Sequence, residues 1–327
     1  MRILVTGCAG FIGYHLCKEL LNNKKFTVYG LDNLNKYYDV NLKKNRLNIL
    51  KKNSKKFIFY KLDLCNYKKI LNNFKKNKYN IVIHLAAQAG VRFSIKNPQK
   101  YLDNNIIGFY NILESSRSIK SNHLIYASTS SVYGNNNNFP LKENYSTSRP
   151  QSFYAATKKT NEIMAYSYSN IYNIPCTGLR FFTVYGEYGR PDMSLHKFVK
   201  AILENKKIEL YNYGNHVRDF TYVNDVVEGL IKIIKKPSKN KIPHQIFNIG
   251  SNNPISLKQF IKIIEKILNK KGKYEYRSIQ KGDVVKTHAD ISMIKKYTKF
   301  KANTSIHLGV YNFIEWYKAY YKWFQII

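Results

Sequence analysis

Thr6-Gly7-Cys8-Ala9-Gly10-Phe11-Ile12-Gly13 is the stretch on which the fold turns. A short apolar run, Ile3–Thr6, enters it, and a helical pattern over Phe11–Leu21 leaves it. Three glycines at this spacing are the parts of a strand-to-helix turn that must lie against a phosphate. Gly7 permits the tight turn, Gly10 lets the backbone approach a pyrophosphate, and Gly13 lets the helix close on the strand. The phosphates would rest on free N–H groups of Phe11, Ile12 and their neighbours, at the positive end of the helix dipole. Asp32 ends the next strand-like run, where a carboxylate can accept both ribose hydroxyls of an adenosine. The same charge would repel a 2′-phosphate, so NAD is the expected cofactor. A turn or cap is the plainer use of such an aspartate.

Outward from this turn, strand-like runs at Ile3–Thr6, Thr27–Leu31, Phe57–Tyr60, Ile81–Leu85, Leu124–Ala127 and Thr177–Phe181 alternate with helical patterns. Those patterns are Phe11–Leu21, Lys68–Phe74, Tyr101–Ser116 and Phe153–Tyr172. The alternation predicts an α/β fold, a Rossmann-type doubly wound parallel sheet with helices on both faces. Residues 1–180 are expected to form the NAD-binding domain, with later segments returning to it. Residues 181–327 become irregular, with a helix near Ser194–Glu204, a strand-like Ile208–Tyr211 and a helix over Ser256–Leu268. They are expected to form a smaller C-terminal substrate-binding domain over the carboxyl edge of the sheet. Asn135–Asn138 and Pro237–Pro243 read as surface connections.

The chain has 327 residues and a hydrophobic fraction of 44%, which excludes a disordered or collagen-like protein. No apolar run approaches the roughly 20 residues of a membrane helix, and the early apolar stretch breaks too soon for a signal peptide. Cys8, Cys17, Cys65 and Cys176 form no close cluster, so no metal site is expected and a reducing cytoplasm fits. The 54 Lys+Arg outnumber 20 Asp+Glu. Lysine, asparagine, isoleucine and tyrosine are abundant together, as A/T-rich codons would make them, and the lysines are spread along the chain. With no recognition motif, neither nucleic acid nor a membrane is an expected partner.

Beyond the glycine turn, His84-Leu85-Ala86-Ala87 follows the fourth run and Tyr154-Ala155-Ala156-Thr157-Lys158 makes a YxxxK. With the GxxGxxG spacing these resemble the extended short-chain dehydrogenase/reductase family over nearly the whole chain. Four segments resemble the branch that epimerises UDP-glucuronate at C4: Asp32–Asp39, His84–Arg92 (HLAAQAGVR), Arg180–Gly186 (RFFTVYG) and Gly189–Met193 (GRPDM). The resemblance implies that Asn33, Asp63, Leu64, Leu85, Ala86 and Ala87 join the glycine turn and Asp32 around NAD. Members often pair through two helices per subunit, which here would be Tyr101–Ser116 and Phe153–Tyr172, giving a homodimer.

Tyr154 and Lys158 stand four apart on a predicted helix and so project from one face. A phenol is a poor base at neutral pH. The nearby ammonium and the positive nicotinamide ring are expected to lower its pKa, so that Tyr154 removes a hydroxyl proton; by resemblance Lys158 also holds the nicotinamide ribose. Thr129 falls where the family keeps a hydroxyl on the reacting oxygen. Related dehydratases place Asp-Glu after this threonine and UDP-xylose synthases place Ser-Glu, whereas this chain has Ser130-Ser131. That argues for hydride removed and returned, with nothing eliminated.

At the substrate end, Arg218-Asp219-Phe220 resembles the segment whose arginine meets the UDP pyrophosphate, and Gly282-Asp283-Val284 the segment whose aspartate meets the uridine ribose. Thr183 and Arg190 lie in the stretch near the sugar and its carboxylate. Ser130, Ser131 and Thr183 are expected to hold that carboxylate. Lys281 stands where the family has proline, and Glu187 and Tyr188 replace its Pro-Trp. The function implied is NAD-dependent 4-epimerisation of a UDP-sugar substrate, UDP-glucuronate to UDP-galacturonate. The alternatives are a glucose/galactose epimerase and a UDP-glucuronate decarboxylase.

Overall fold

Every residue of strand β1 (Arg2–Thr6) after Arg2 is buried. A strand apolar on both sides needs helices above and below it. The computed structural model, which describes residues 1–323, shows how the chain supplies them. A seven-stranded sheet takes β1, β2 (Thr27–Asp32), β3 (Phe57–Lys61), β4 (Ile81–His84), β5 (His123–Thr129), β6 (Cys176–Phe181) and, after three strands that lie elsewhere, β10 (His244–Ile249). The spatial order is β10-β6-β5-β4-β1-β2-β3, with every pairing parallel. The predicted doubly wound α/β sheet is therefore present.

Successive side chains of β1 point to opposite faces. Ile3 and Val5 join one core with Leu16 of α1 (Phe11–Leu21), Leu47 of α2 (Val40–Asn53), Leu230 of α9 (Val223–Ile234) and Ile294 of α11 (Ser292–Thr298). Leu4 joins the other with Phe74 of α3 (Tyr67–Asn77), Ile112 of α6 (Gly108–Ser118) and Ala165 of α7 (Phe153–Tyr172). Between β4 and α6 run α4 (Val91–Lys96), α5 (Pro98–Tyr101) and a π-helical segment, Leu102–Ile107. The single helix expected over Tyr101–Ser116 is thus interrupted. The π segment carries Asn105 inward, where its amide accepts from Gln88 N–H at 2.8 Å and donates to the Gln88 carbonyl and the Thr157 hydroxyl at 3.0 Å. A wide turn at a functional edge is a common use of π geometry.

The third core lies under the small sheets, among Tyr185, Phe198, Phe220, Phe260 and Phe313. β9 (Val217–Tyr222) pairs with β7 (Thr183–Tyr185) and β11 (Pro254–Ser256), while β8 (Lys207–Tyr211) pairs with β12 (Lys273–Arg277). Helices α8 (Ser194–Leu203), α10 (Leu257–Leu268) and α12 (Ile306–Tyr320) cover them. Phe220 and Phe260 stack with centroids 4.1 Å apart, and Ser256 with Gln259 forms a capping box that fixes the start of α10. No helix among the described residues is long and apolar enough to cross a membrane.

Candidate active site

In the large sheet, strand order reverses beside β1, which has β2 on one side and β4 on the other. The carboxyl ends on either side of that reversal open into a crevice. It is a cavity of about 440 Å³ that runs from the glycine turn to the loop before α8. Gly7 has φ +72°, and a Cβ there would sit 2.8 Å from Ala86 N. A Cβ on Gly13 would come within 2.1 Å of the Gly7 carbonyl oxygen. The turn therefore needs glycine for space as well as for its dihedrals. Asp32 holds it from below, accepting from Ala9 N–H at 3.2 Å and Leu34 N–H at 2.8 Å. Burial raises the Asp32 pKa, and these N–H groups with Lys43 and Arg46 oppose that rise.

At the other end of the cavity, Tyr154 opens α7, with Ser152 capping the helix through Ala155 N–H. Lys158 lies one turn on and is 2% exposed. Thr129, the last residue of β5, accepts from Ser131 N–H and donates to Ser131 Oγ, both at 3.2 Å. Without the cofactor, Lys158 is not among the influences acting on the phenol. Burial raises the Tyr154 pKa, and the influences pulling it down are the Arg190 charge and a hydrogen bond with Thr129. Lys158 itself is pulled down to about 7 by burial, with Glu162 working against the fall. Glu162 is gripped by Arg180 at 2.8 and 2.9 Å and by the Ser128 hydroxyl at 2.7 Å. Beneath Lys158 there is thus a carboxylate already shared with another cation.

Of the residues singled out in the sequence, Gly7, Gly10, Phe11, Ile12, Gly13, Asp32, Asn33, Leu64, Leu85, Ala86, Ala87, Thr129, Ser131, Tyr154, Lys158, Thr183 and Arg190 all line this one cavity. Four others do not. Asp63 accepts from the Asn33 amide at 3.0 Å and from Cys65 N–H, so it braces the loop instead. Ser130 sits in a short 3-10 turn after β5. Arg218 donates to the carbonyls of Val217 and Val285, and burial lowers its pKa to about 10. Asp283 pairs with Arg92 at 3.1 Å. Residues that sequence reasoning did not single out also line the cavity, notably Tyr37, Tyr38, Lys43 and Gln88.

Residues 3–250 match the family described as the NAD dependent epimerase/dehydratase family. The chain belongs to that family. Protein CapI of Staphylococcus aureus is 47% identical over 98% of this chain and 100% of its own length. A UDP-glucuronate 4-epimerase of Thermodesulfobacterium geofontis (strain OPF15) is 43% identical over 96% of this chain and 95% of its own. Among solved structures, the UDP-glucuronic acid 4-epimerase of Bacillus cereus, in complex with UDP-glucuronic acid and NAD, superposes with a TM-score of 0.92. That match is at 34% identity and covers 98% of this chain and 100% of that one.

As a member of the epimerase/dehydratase family, the protein is an NAD-dependent nucleotide-sugar enzyme. The cavity fits its cofactor. Glycine at 7 and 13 lets the turn close on main chain where a Cβ would collide, and the first N–H groups of α1 are free of intrahelical partners. Asp32 and Lys158 both line the cavity. Arg190 extends from the loop before α8, its guanidinium held by Asp192 at 2.5 and 2.9 Å. Tyr37 donates to the same carboxylate at 3.1 Å. Among the described residues lining the cavity, Asp32 is the one carboxylate, and it lies at the end away from Tyr154.

Proposed function

We propose that the protein interconverts UDP-glucuronate and UDP-galacturonate by inverting C4. Tyr154 takes the C4 hydroxyl proton, with Thr129 bonded to the same oxygen. Bound NAD supplies an acceptor that takes the C4 hydride and gives it back. Lys158 holds positive charge beside the phenol and the nicotinamide ribose. The 4-keto sugar turns over between the two transfers, so that hydride returns to the opposite face of C4 while Tyr154 returns the proton to the C4 oxygen. Ser131 and Thr183 hydrogen-bond the sugar carboxylate, and Arg190 faces it as the counter-charge. Arg218 and Asp283 take the UDP pyrophosphate and the uridine ribose, Asp283 leaving Arg92 to do so. Asp63 closes the loop over the adenine edge.

The observation that supports this reading is the placing of Arg190, steadied by Asp192, in the same cavity as Tyr154, where Asp32 is the only carboxylate among the described lining residues. A uronate asks for a fixed cation at that end, and elimination asks for an acid. The resemblance to proteins named UDP-glucuronate 4-epimerase points the same way. The test is NMR of the product from purified protein and UDP-glucuronate carrying deuterium at C4. UDP-galacturonate that keeps its label is expected. Chiefly carbon dioxide and a UDP-4-keto-pentose would make it a decarboxylase, and turnover of UDP-glucose alone would make it the glucose/galactose enzyme.

The reading extends to assembly. Ile107 and Tyr110 on one helical run and Ile163, Tyr166, Ile171 and Tyr172 on α7 are exposed. An apolar flank of this kind suits a partner surface, and a homodimer through these two helices in a reducing cytoplasm is our proposal. Light scattering after gel filtration should give twice the chain mass.

A further inference from the structure

Arg46 of α2 is a fully buried arginine that forms no ion pair among the described residues, although its charge acts on the Asp32 carboxylate from farther off. Its exposure is 0%. One terminal nitrogen donates to the Ala9 carbonyl and to the Tyr38 hydroxyl, both at 2.7 Å. The other donates to the Tyr188 carbonyl at 2.5 Å. Nε has no protein partner, and no acidic side chain among the described residues forms an ion pair with the guanidinium. Buried cations are ordinarily paired, because neutral carbonyls recover only part of the lost hydration. Three elements meet at this one fork. Ala9 belongs to the glycine turn, Tyr38 to the loop that follows Asp32, and Tyr188 to the loop that carries Arg190.

The contact on Ala9 is on the side of the turn away from its free N–H groups. The Ala9–Gly10 peptide is held at both ends, its oxygen by Arg46 and its N–H by the Gly7 carbonyl at 2.9 Å. The contact on Tyr188 falls at a backbone with φ +54°, a conformation side chains seldom adopt without support. Aromatic contacts with Tyr14 and Trp316, each with centroids 4.9 Å apart, hold the same residue from outside.

We infer that Arg46 is a positioning residue for both ligands: its buried charge is answered by the dinucleotide's pyrophosphate, and its fork ties the Arg190 loop to the cofactor turn. The charge and the fork make separable demands. Lysine would keep the charge but cannot span the Ala9 and Tyr188 carbonyls together. Methionine would keep the bulk and lose both.

The experiment compares wild type, Arg46→Lys and Arg46→Met as full chains. NAD affinity is measured by calorimetry on cofactor-stripped protein, the NAD-induced rise in melting temperature by scanning calorimetry, and kcat and KM for UDP-glucuronate at saturating NAD. In Arg46→Met, NAD should bind about tenfold or more weakly, as loss of charged hydrogen bonding implies, and the NAD-induced rise should shrink. In Arg46→Lys, NAD affinity should stay within about threefold while KM rises more than kcat falls, because the loop has lost its tie. A purely structural role would lower melting temperature with and without NAD by the same amount and leave NAD affinity unchanged; that result overturns the inference. So does a lysine variant with wild-type KM. If Arg46→Met cannot be purified, the lysine variant decides, since NAD affinity lost in step with KM would show that charge and fork are not separate. Should the enzyme turn over another UDP-sugar instead, the NAD measurements stand unaffected.

Discussion

At the cofactor end of the cavity the surface offered to a ligand is largely backbone; at the substrate end it is side chains carried on loops. Gly7, Gly10 and Gly13 shape the first by leaving space, and Asp32 is clamped by two N–H groups of the chain itself. Arg190, Asp192 and Tyr37 shape the second through one another, and Arg92 pairs with Asp283 outside the lining. The first construction tolerates few replacements, because any added atom meets main chain. The second can be retuned one side chain at a time, which is how one fold serves several nucleotide sugars.

Four substitutions press on that difference. Tyr154→Phe, at the seam of the two ends, should retain NAD and lose about 10²–10⁴-fold in kcat, since only the proton acceptor goes; turnover near wild type would remove Tyr154 from the chemistry. Gly13→Ala should weaken NAD binding by about 10- to 100-fold, the added methyl forcing the turn away from its carbonyl contact, as calorimetry would record. Asp192→Asn should be milder. Its amide no longer fixes Arg190 by charge, so KM for UDP-glucuronate should rise about tenfold with NAD affinity unaltered. A change of equal size in NAD binding would abolish the distinction between the two ends.

The smallest effect is one of pH. Lys158 titrates near 7 in the folded, cofactor-free protein because burial disfavours its charge, whereas unfolded it titrates near the ordinary lysine value of about 10.4. Between those limits the unfolded chain binds the extra proton, so stability should rise as pH rises through that window. The difference in melting temperature between wild type and Lys158→Met should drift by about 2 °C per pH unit in favour of wild type between pH 7.5 and 9.5. A constant difference would place the Lys158 titration elsewhere.

How far the sequence could be read follows the same division. The helices Phe11–Leu21 and Phe153–Tyr172 are visible to the residue, because local periodicity and the glycine turn settle them. Helix α2 is not visible, because its buried face includes Lys43 and Arg46 beside Leu42, Leu47 and Leu50. Charges that read as a solvated side are turned inward, toward Asn35, Ala9 and Tyr188. Strand β10 escapes because its pairing is with Cys176–Phe181, far back along the chain, and three of its six residues are only half-buried. Tyr154, Lys158 and Thr129, proposed here as the catalytic trio, the glycine turn and Arg190 are legible as residues. What tunes them is not: Asp192, Glu162 and Asn105 act through contacts that only the folded chain brings together.

The closeness of backbone to backbone around Gly7 and Gly13 also sets which residues this sequence can carry there. A site that admits a side chain of some kind can carry lysine, asparagine, isoleucine or tyrosine, the residues abundant throughout this chain. That freedom stops where a single carbon would land 2.1 Å from a carbonyl oxygen. Of the 16 glycines in this chain, those at the turn stand where an added carbon meets an atom that cannot give way.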